Sequence, residues 1–173
     1  YAEECDSAAF DDVSVLPAEA FAESFAEALP GKWEDAGSTW STDAKAGRRV
    51  ARSAGEGATM TGRETWDDYT LAADVEPGEA KHVGLAFGAR EGKGYWAFRV
   101  PCGAAGKAAI LRVRDGGATV AAESTALVAV GARARLAVRI HDGRAQGFLD
   151  GKPVVDAMDP LGLPGRCGFY ASG

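Results

Sequence analysis

The sequence predicts an all-β protein, a two-sheet antiparallel β-sandwich of the jelly-roll type, and three observations support this. Short β-favouring runs recur along the chain from residue 48 onward. Asp-Gly pairs stand between several of these runs, and both residues of such a turn tolerate the positive φ of a hairpin loop. Helical periodicity is confined to one segment near the N-terminus. Many strands at roughly regular spacing with few helices indicate a sandwich.

Each predicted strand is a run of β-branched, aromatic or aliphatic residues bounded by turn signals. The runs cover residues 49–52, 69–75, 83–87, 96–100, 111–113, 136–140, 148–149 and 154–155. Side chains two apart on a strand share a face, so alternation predicts the core. On this basis the core contains Tyr69, Leu71, Ala73, Val75, Val83, Leu85, Phe87, Trp96, Phe98, Val100, Leu111, Val113, Leu136, Val138 and Ile140.

Residues 18–29 (AEAFAESFAEAL) are the exception to the strand pattern. Phe21 and Phe25 lie four residues apart, and glutamates recur at the same interval. Alanine and glutamate favour helix, and Pro17 suits a first helical turn. We therefore expect a short helix near 18–29, with an irregular linker as the alternative, inside a connecting segment at 17–32.

The two ends of the chain read as the halves of one hairpin. A Gly-Phe-Tyr-Ala strand at 168–171 leads, through a short loop, into the Phe-Asp-Asp-Val-Ser-Val strand at 10–15. We therefore interpret residues 1–173 as a single domain whose closing strand, within 1–16, is displaced to the N-terminus. Two explanations remain open: a unit cut out of register from a tandem array, or a circularly permuted domain.

Composition narrows the class of protein. Hydrophobic residues make up 46% of the 173 residues, which supports a packed core. The formal net charge of −6 argues against a general nucleic-acid binder held by phosphate contacts. No run approaches the roughly 18 apolar residues of a membrane span, so membrane insertion is not expected.

Three cysteines, Cys5, Cys102 and Cys167, lack the close pair spacings of a zinc site. Cys167 alternates with Phe169 along a predicted strand and is expected to face the core. Cys5 and Cys102 lie in loop-like stretches, and a disulfide between them would tie the N-terminal strand to the rest of the domain. This pairing favours an extracellular location; three unpaired thiols in a reducing compartment are the alternative.

Several segments resemble the concanavalin A-like lectin/glucanase superfamily, in its laminin-G-like and DUF1080 (3-keto-disaccharide hydrolase-like) branch. The matching segments, in chain order, are GKWE (31–34), GSTWS (37–41), WDDYTL (66–71), VGLAF (83–87), GYWAFRV (94–100), FLDG (148–151) and GRCGFY (165–170). The resemblance implies two curved antiparallel sheets. It also implies a concave face that binds saccharides in lectin and hydrolase relatives.

Catalysis finds little support in the sequence. Family 16 glycosidases of this superfamily carry a Glu-x-Asp-x-Glu strand, because retaining hydrolysis needs two carboxyl groups about 5–5.5 Å apart. That motif is absent here, and the nearest acidic cluster, at 64–68, has a different spacing. His82 and His141 are far apart in sequence and each lies beside a turn, which is more typical of exposed strand ends than of a catalytic pair.

Seven side chains are predicted to line the concave face as ligand-binding candidates. They are His82, Arg90, Tyr95, Arg99, Arg112, Arg114 and Arg139. Guanidinium groups suit the carboxylates or sulfates of an acidic glycan, and Tyr95 offers a ring on which a sugar can stack. The alternative is a cross-strand ladder in which the arginines pair with Asp68, Asp74 and neighbouring carboxylates.

A structural calcium ion is a further hypothesis, because related sandwiches often hold one. Asp11 and Asp12 would supply the hard oxygen ligands that calcium prefers. No EF-hand loop occurs in the sequence.

Three functions follow, in order of preference. The first is a non-catalytic extracellular module of a tandem-repeat surface or secreted protein, which binds carbohydrate or serves adhesion. The second is a purely structural repeat that builds a fibre or surface layer. The third is a glycoside-active hydrolase of the keto-disaccharide hydrolase type. The expected partners are a glycan or polysaccharide and neighbouring copies of the same domain.

Overall fold

The structure is a computed structural model, and it describes residues 8–16, 21–23, 33–37, 39–45, 48–54, 56–103, 106–158 and 164–173. These residues form strands and turns, and none of them is helical. In chain order the strands are β1 (Ala8–Leu16), β2 (Phe21–Glu23), β3 (Glu34–Ala36), β4 (Thr39–Lys45), β5 (Arg48–Ala54), β6 (Gly57–Thr61), β7 (Thr70–Pro77), β8 (His82–Arg90), β9 (Gly94–Pro101), β10 (Ala108–Arg114), β11 (Gly117–Ser124), β12 (Ala134–His141), β13 (Arg144–Leu149), β14 (Lys152–Met158) and β15 (Arg166–Ser172).

The strands form two antiparallel sheets, which confirms the predicted β-sandwich. The first sheet has the order β14-β13-β12-β7-β1-β5-β4, and β2 pairs with β1 beside this path. The second has the order β11-β10-β9-β8-β15-β6-β3. Strands that are distant in sequence, such as β1 and β7 or β15 and β8, are therefore neighbours in space.

The main core lies between the two sheets and is lined by alternate residues of both. Apart from three side chains, the predicted core residues are buried there. Trp96 is partly exposed and packs against the edge of this core, while Leu111 and Val113 lie elsewhere. At one end of the core, Phe10 of β1 stacks on Phe169 of β15 with ring centroids 4.6 Å apart. Trp33 stacks on the same ring at 5.0 Å, so aromatic residues join strands of opposite sheets.

The predicted Asp-Gly turns are confirmed. Asp115, Asp142 and Asp150 have φ values of 52°, 48° and 50°, and the glycine after each also has positive φ. Two consecutive residues with positive φ define the turn that suits the twist of a two-residue hairpin.

Two local predictions near the N-terminus are wrong. A helix is predicted near 18–29, but Phe21–Glu23 is a strand that pairs with β1. Strand pairing therefore overrides the helical preference of these three residues. The other residues of 18–29 lie outside the described ranges. The predicted terminal hairpin is also not formed, because β1 pairs with β2, β5 and β7 while β15 pairs with β6 and β8. The two strands instead face each other across the core. The displaced-strand interpretation of residues 1–16 stays a prediction.

The face assigned to residues 111–113 is wrong as well. Ile110 points into the main core, while Leu111 and Val113 belong to a second apolar cluster on the outer face of the second sheet. A hydrophobic run covers both faces of β10, so its pattern does not identify the core side.

Cys102 and Cys167 are both free cysteines, and Cys5 lies outside the described residues, so the expected Cys5–Cys102 bridge is not observed. Cys167 is buried as predicted, and burial raises its pKa to about 12. Among the described residues, no helix has the length and apolar character needed to cross a membrane.

Candidate functional site

The outer face of the second sheet carries a polar cluster that spans the neighbouring strands β9, β8 and β15. Pairing places Arg99 of β9 opposite Gly84 of β8, and Gly84 opposite Tyr170 of β15. Two positions along, Ser172 of β15 lies opposite His82 of β8. Because alternate residues of a strand share a face, all four side chains point away from the main core.

Gly84 lets Arg99 and Tyr170 approach each other across β8. A Cβ atom at this glycine would overlap the carbonyl oxygen of Phe98 on the adjacent strand. Without a side chain between them, the Arg99 guanidinium lies close enough to the Tyr170 hydroxyl to act against the rise that burial causes in the pKa of Tyr170. The pair therefore depends on a glycine in the middle of the sheet.

Two buried hydroxyl groups connect the cluster. The Tyr170 hydroxyl donates to Oε1 of Glu56 at 3.3 Å, and Ser172 lies close enough to that hydroxyl to act against the rise that burial causes in its pKa. Oγ of Ser172 lies 3.0 Å from Nδ1 of His82. Tyr170 and Ser172 are only 4% and 5% exposed, whereas Glu56 is exposed and His82 is partly exposed. The buried hydroxyls thus hold the accessible groups in place.

Burial sets the protonation states of this cluster. Desolvation, and secondarily the positive charge of Arg99, lowers the pKa of His82. Burial raises the pKa of Tyr170, and it raises the pKa of Tyr95 to about 12. At neutral pH the imidazole and both phenols are therefore uncharged. The charges within the cluster come from Arg99 and Glu56.

Tyr95 borders the polar cluster on the apolar side. It lies on the same face of β9 as Ala97 and Arg99. It is partly exposed and packs against a second apolar cluster, which consists of Ala58, Met60, Ala86, Ala89, Ala97, Leu111 and Tyr170 with Val113 beside them. The surface that a ligand can reach thus combines an aromatic ring with Arg99, His82 and Glu56. We call these four residues, with Tyr170 and Ser172 beneath them, the Arg99 site.

The structure brings three of the seven predicted binding residues together: His82, Tyr95 and Arg99. Irregular pairing after Phe87 turns Arg90 away from this face, and its Nε donates to the carbonyl oxygen of Pro164 at 2.7 Å. Arg112 lies on the opposite face of its strand, 5.8 Å above the Trp96 ring.

The remaining two predicted residues are also outside the Arg99 site. Nε of Arg114 lies 3.2 Å from Asp115 of the adjoining turn. Arg139 belongs to the first sheet, where it lies 5.8 Å above the ring of Phe148. The cross-strand ladder that was the alternative exists in the first sheet, but other arginines form it: Asp74 pairs with Arg133 and Arg135.

Glu56, Tyr170 and Ser172 were not predicted as site residues. No motif marks Glu56, and the last strand is recognisable in the sequence only by the inward alternation of Cys167 with Phe169, the GRCGFY segment and the terminal-hairpin pattern. The alternation of Tyr170 and Ser172 with Phe169 could have indicated an outward pair. Nothing in the sequence shows that β15 lies beside β8.

The described residues do not support a calcium site. The side chains of Asp11 and Asp12 lie outside the described part of the structure, so that hypothesis stays a prediction. One exposed group, Asp68, His141 and Asp142, has the proximity that a metal requires. However, Oδ1 of Asp68 accepts the backbone N–H of Asp142 at 3.0 Å, and an imidazole ligand does not suit calcium. We derive no function from this group.

A shallow cavity of about 340 Å³ lies away from the Arg99 site, between β11 and the β13–β14 hairpin. Its two carboxylates are already paired. Asp156 accepts a hydrogen bond from Nε of Arg144 at 2.8 Å, and Glu123 pairs with Lys107. This groove therefore offers fewer unsatisfied groups to a ligand than the Arg99 site does.

Comparisons with known proteins bear on the fold. No protein-family model matches the sequence, and no curated protein matches it. Among solved structures, the chain is similar to the carbohydrate-binding module CBM66 from Bacillus subtilis. The TM-score is 0.63 and the identity 18%, over 82% of this chain and 94% of that one.

A second similar structure is domain 4 of AbnA, a GH43 extracellular arabinanase from Geobacillus stearothermophilus, in complex with arabinotriose. It matches at a TM-score of 0.46 and 15% identity, over 79% of this chain and 77% of that one. The likeness to CBM66 shows a shared β-sandwich fold. Membership of the concanavalin A-like superfamily stays a prediction.

Proposed function

We propose that this chain is a non-catalytic carbohydrate-binding module and that the Arg99 site is its binding surface. The observation that carries the proposal is the hydrogen-bonded network in which buried Tyr170 and Ser172 hold Glu56 and His82 at the surface. Networks of this kind fix the geometry of donors and acceptors before a ligand arrives. The shared fold with a module named for carbohydrate binding supports the same conclusion.

The chemistry of the site suits a sugar. Arg99 supplies N–H donors, Glu56 supplies acceptor oxygens, and neutral His82 keeps one ring nitrogen beyond the one that contacts Ser172. Tyr95 adds a partly exposed ring beside them. A sugar presents hydroxyl groups around its edge and C–H groups on its face, so it needs both kinds of contact.

Non-catalytic binding is favoured over hydrolysis because of where the carboxylates are. Within the described part of the Arg99 site, Glu56 is the one carboxylate in the network, and retaining hydrolysis needs a pair about 5–5.5 Å apart. The acidic group at 64–68 supports a loop instead. Oε1 of Glu64 accepts the N–H of Glu91 at 2.7 Å, and Oδ1 of Asp67 accepts the N–H of Asp68 at 3.1 Å.

The wider context belongs to the same proposal. An extracellular location fits a domain that recognises polysaccharide. Tandem copies would raise the affinity of weak single sites through avidity. The structural-repeat alternative gains no specific support, because β1 is already paired with β2, β5 and β7 of its own chain.

A glycan array tests the proposed function. The purified protein is applied once with calcium and once with chelator, beside three variants. We expect binding that Arg99→Ala and Tyr95→Ala abolish and that Arg139→Ala, on the first sheet, leaves intact. Circular dichroism and thermal unfolding confirm that each variant is folded. A folded protein that binds no glycan under either condition would contradict the proposal.

A further inference from the structure

Arg99 carries a positive charge that has no direct ion-pair partner among the described residues. The side chain is partly buried, and its Nε has neither solvent contact nor a hydrogen-bond acceptor. No carboxylate of the described residues lies within ion-pair distance of it. Some other arginines have a carboxylate partner: Arg166, whose side chain is 22% exposed and whose Nε also lacks an acceptor, pairs with Glu34, and Arg144 pairs with Asp156. Partial burial of a guanidinium without a counter-charge costs free energy that a bound anion can recover.

The described groups around Arg99 do not neutralise its positive charge by forming an ion pair with it. Lys81 immediately precedes β8 and its side chain is exposed, and His82 is the first residue of that strand. Along the row of paired residues that contains Arg99, the nearest carboxylate is Glu123 of β11, two strands away. Glu123 is engaged by Lys107. Glu56 is the one carboxylate among the described residues of the Arg99 site. It lies on the far side of Tyr170, where it accepts the hydrogen bond of the Tyr170 hydroxyl.

From this arrangement we infer that the Arg99 site takes a sugar bearing a carboxylate, a uronic acid residue of an acidic polysaccharide. The carboxylate pairs with the guanidinium of Arg99, because the planar fork of arginine matches two carboxylate oxygens. The ring rests beside Tyr95, and its hydroxyl groups donate to Glu56. This inference rests on the proposed function and adds the class of ligand to it.

The test compares acidic sugars with uncharged partners of the same shape. Tetramers of galacturonate, glucuronate and mannuronate are titrated calorimetrically into the protein, each beside its methyl ester, which keeps the ring and removes the charge. We expect at least one acid to bind and its ester to bind at least about tenfold more weakly, since a charge-assisted contact is lost.

Variants identify the group responsible. Arg99→Gln is expected to bind the acid and the ester equally weakly. Arg99→Lys retains the charge without the fork and is expected to keep part of the preference. Arg139→Gln serves as the matched control and is expected to behave as the unaltered protein does. Thermal unfolding of each variant separates loss of binding from loss of fold.

The outcomes separate this inference from the proposed function. Preference for an acid that depends on Arg99 supports both. Equal binding of acid and ester, or binding only to neutral glycans of the array, overturns the carboxylate inference and leaves the carbohydrate-binding function standing. A folded protein that binds neither acidic nor neutral glycans overturns both.

Discussion

Protonation of His82 makes the candidate site sensitive to pH. Burial, and secondarily the positive charge of Arg99, disfavours the imidazolium form, so the pKa of His82 in the folded protein is lower than the reference value of 6.5. In the unfolded chain the imidazole takes up its proton near that reference value. Folding therefore opposes protonation of this one side chain.

The consequence is a loss of stability in mild acid. Well above pH 6.5 both states hold a neutral His82, and its contribution to the free energy of unfolding does not change with pH. As pH falls from the unfolded pKa towards the lower folded pKa, the unfolded state binds more protons and the free energy of unfolding decreases. Urea unfolding at pH 7.5, 6.5 and 5.5 measures this loss. His82→Gln should flatten the profile relative to the exposed control His141→Gln; two equally steep profiles would contradict the assignment.

The candidate binding residues illustrate what a sequence can and cannot predict about single side chains. Alternation along β8 and β9 identified His82, Tyr95 and Arg99 correctly as outward-facing. It could not identify Tyr170 or Glu56 as their partners, because that depends on β15 lying between β8 and β6. A pattern within one strand contains no information about which strand lies beside it.

Strands β8 and β9 approach so closely at Gly84 that a side chain there has no room. We predict that Gly84→Ala lowers the free energy of unfolding by about 1–3 kcal/mol, as overpacking does in other proteins. It should also weaken glycan binding, because the adjustment separates Arg99 from Tyr170. Denaturant unfolding and titration measure the two effects.

Gly117→Ala is the matched control for this substitution. Gly117 lies in the edge strand β11, where an added Cβ would meet its nearest neighbour, the carbonyl oxygen of Arg114, at an ordinary 3.6 Å. Stability and binding should both stay unchanged. If Gly84→Ala behaves like Gly117→Ala, the close approach of β8 and β9 is not required for the site.

Strand prediction succeeded where side chains were large. Aromatic or branched residues occupy alternate positions along strands β7, β8, β9 and β12. Asp-Gly turns mark the ends of the neighbouring strands. It failed at β6 and β11, whose sequences GATMT and GATVAAES consist mostly of small residues with little intrinsic preference. Neighbouring strands determine their conformation. The same tertiary effect converts Phe21–Glu23 from a predicted helix into a strand.

At the scale of the whole molecule, the aromatic stack of Phe10 on Phe169 joins the first described strand to the last. Phe10 is fully buried, so Phe10→Ala should lower the free energy of unfolding by about 3–5 kcal/mol. Val130→Ala, at a side chain that is 61% exposed, should change it little. Chemical denaturation measures both. A loss below about 1 kcal/mol at Phe10 would mean that β1 does not contribute to the core.

The stack also constrains the order in which the chain acquires structure during its synthesis. Ribosomes release the N-terminal part first, and β1 emerges long before its aromatic partner on β15. Contacts between residues so far apart in sequence form slowly, since a long loop must close before they provide any stabilisation. The nascent domain therefore holds an incomplete hydrophobic interior until translation reaches Phe169. A chaperone that shields the exposed aromatic surface during this interval would raise the yield of native protein.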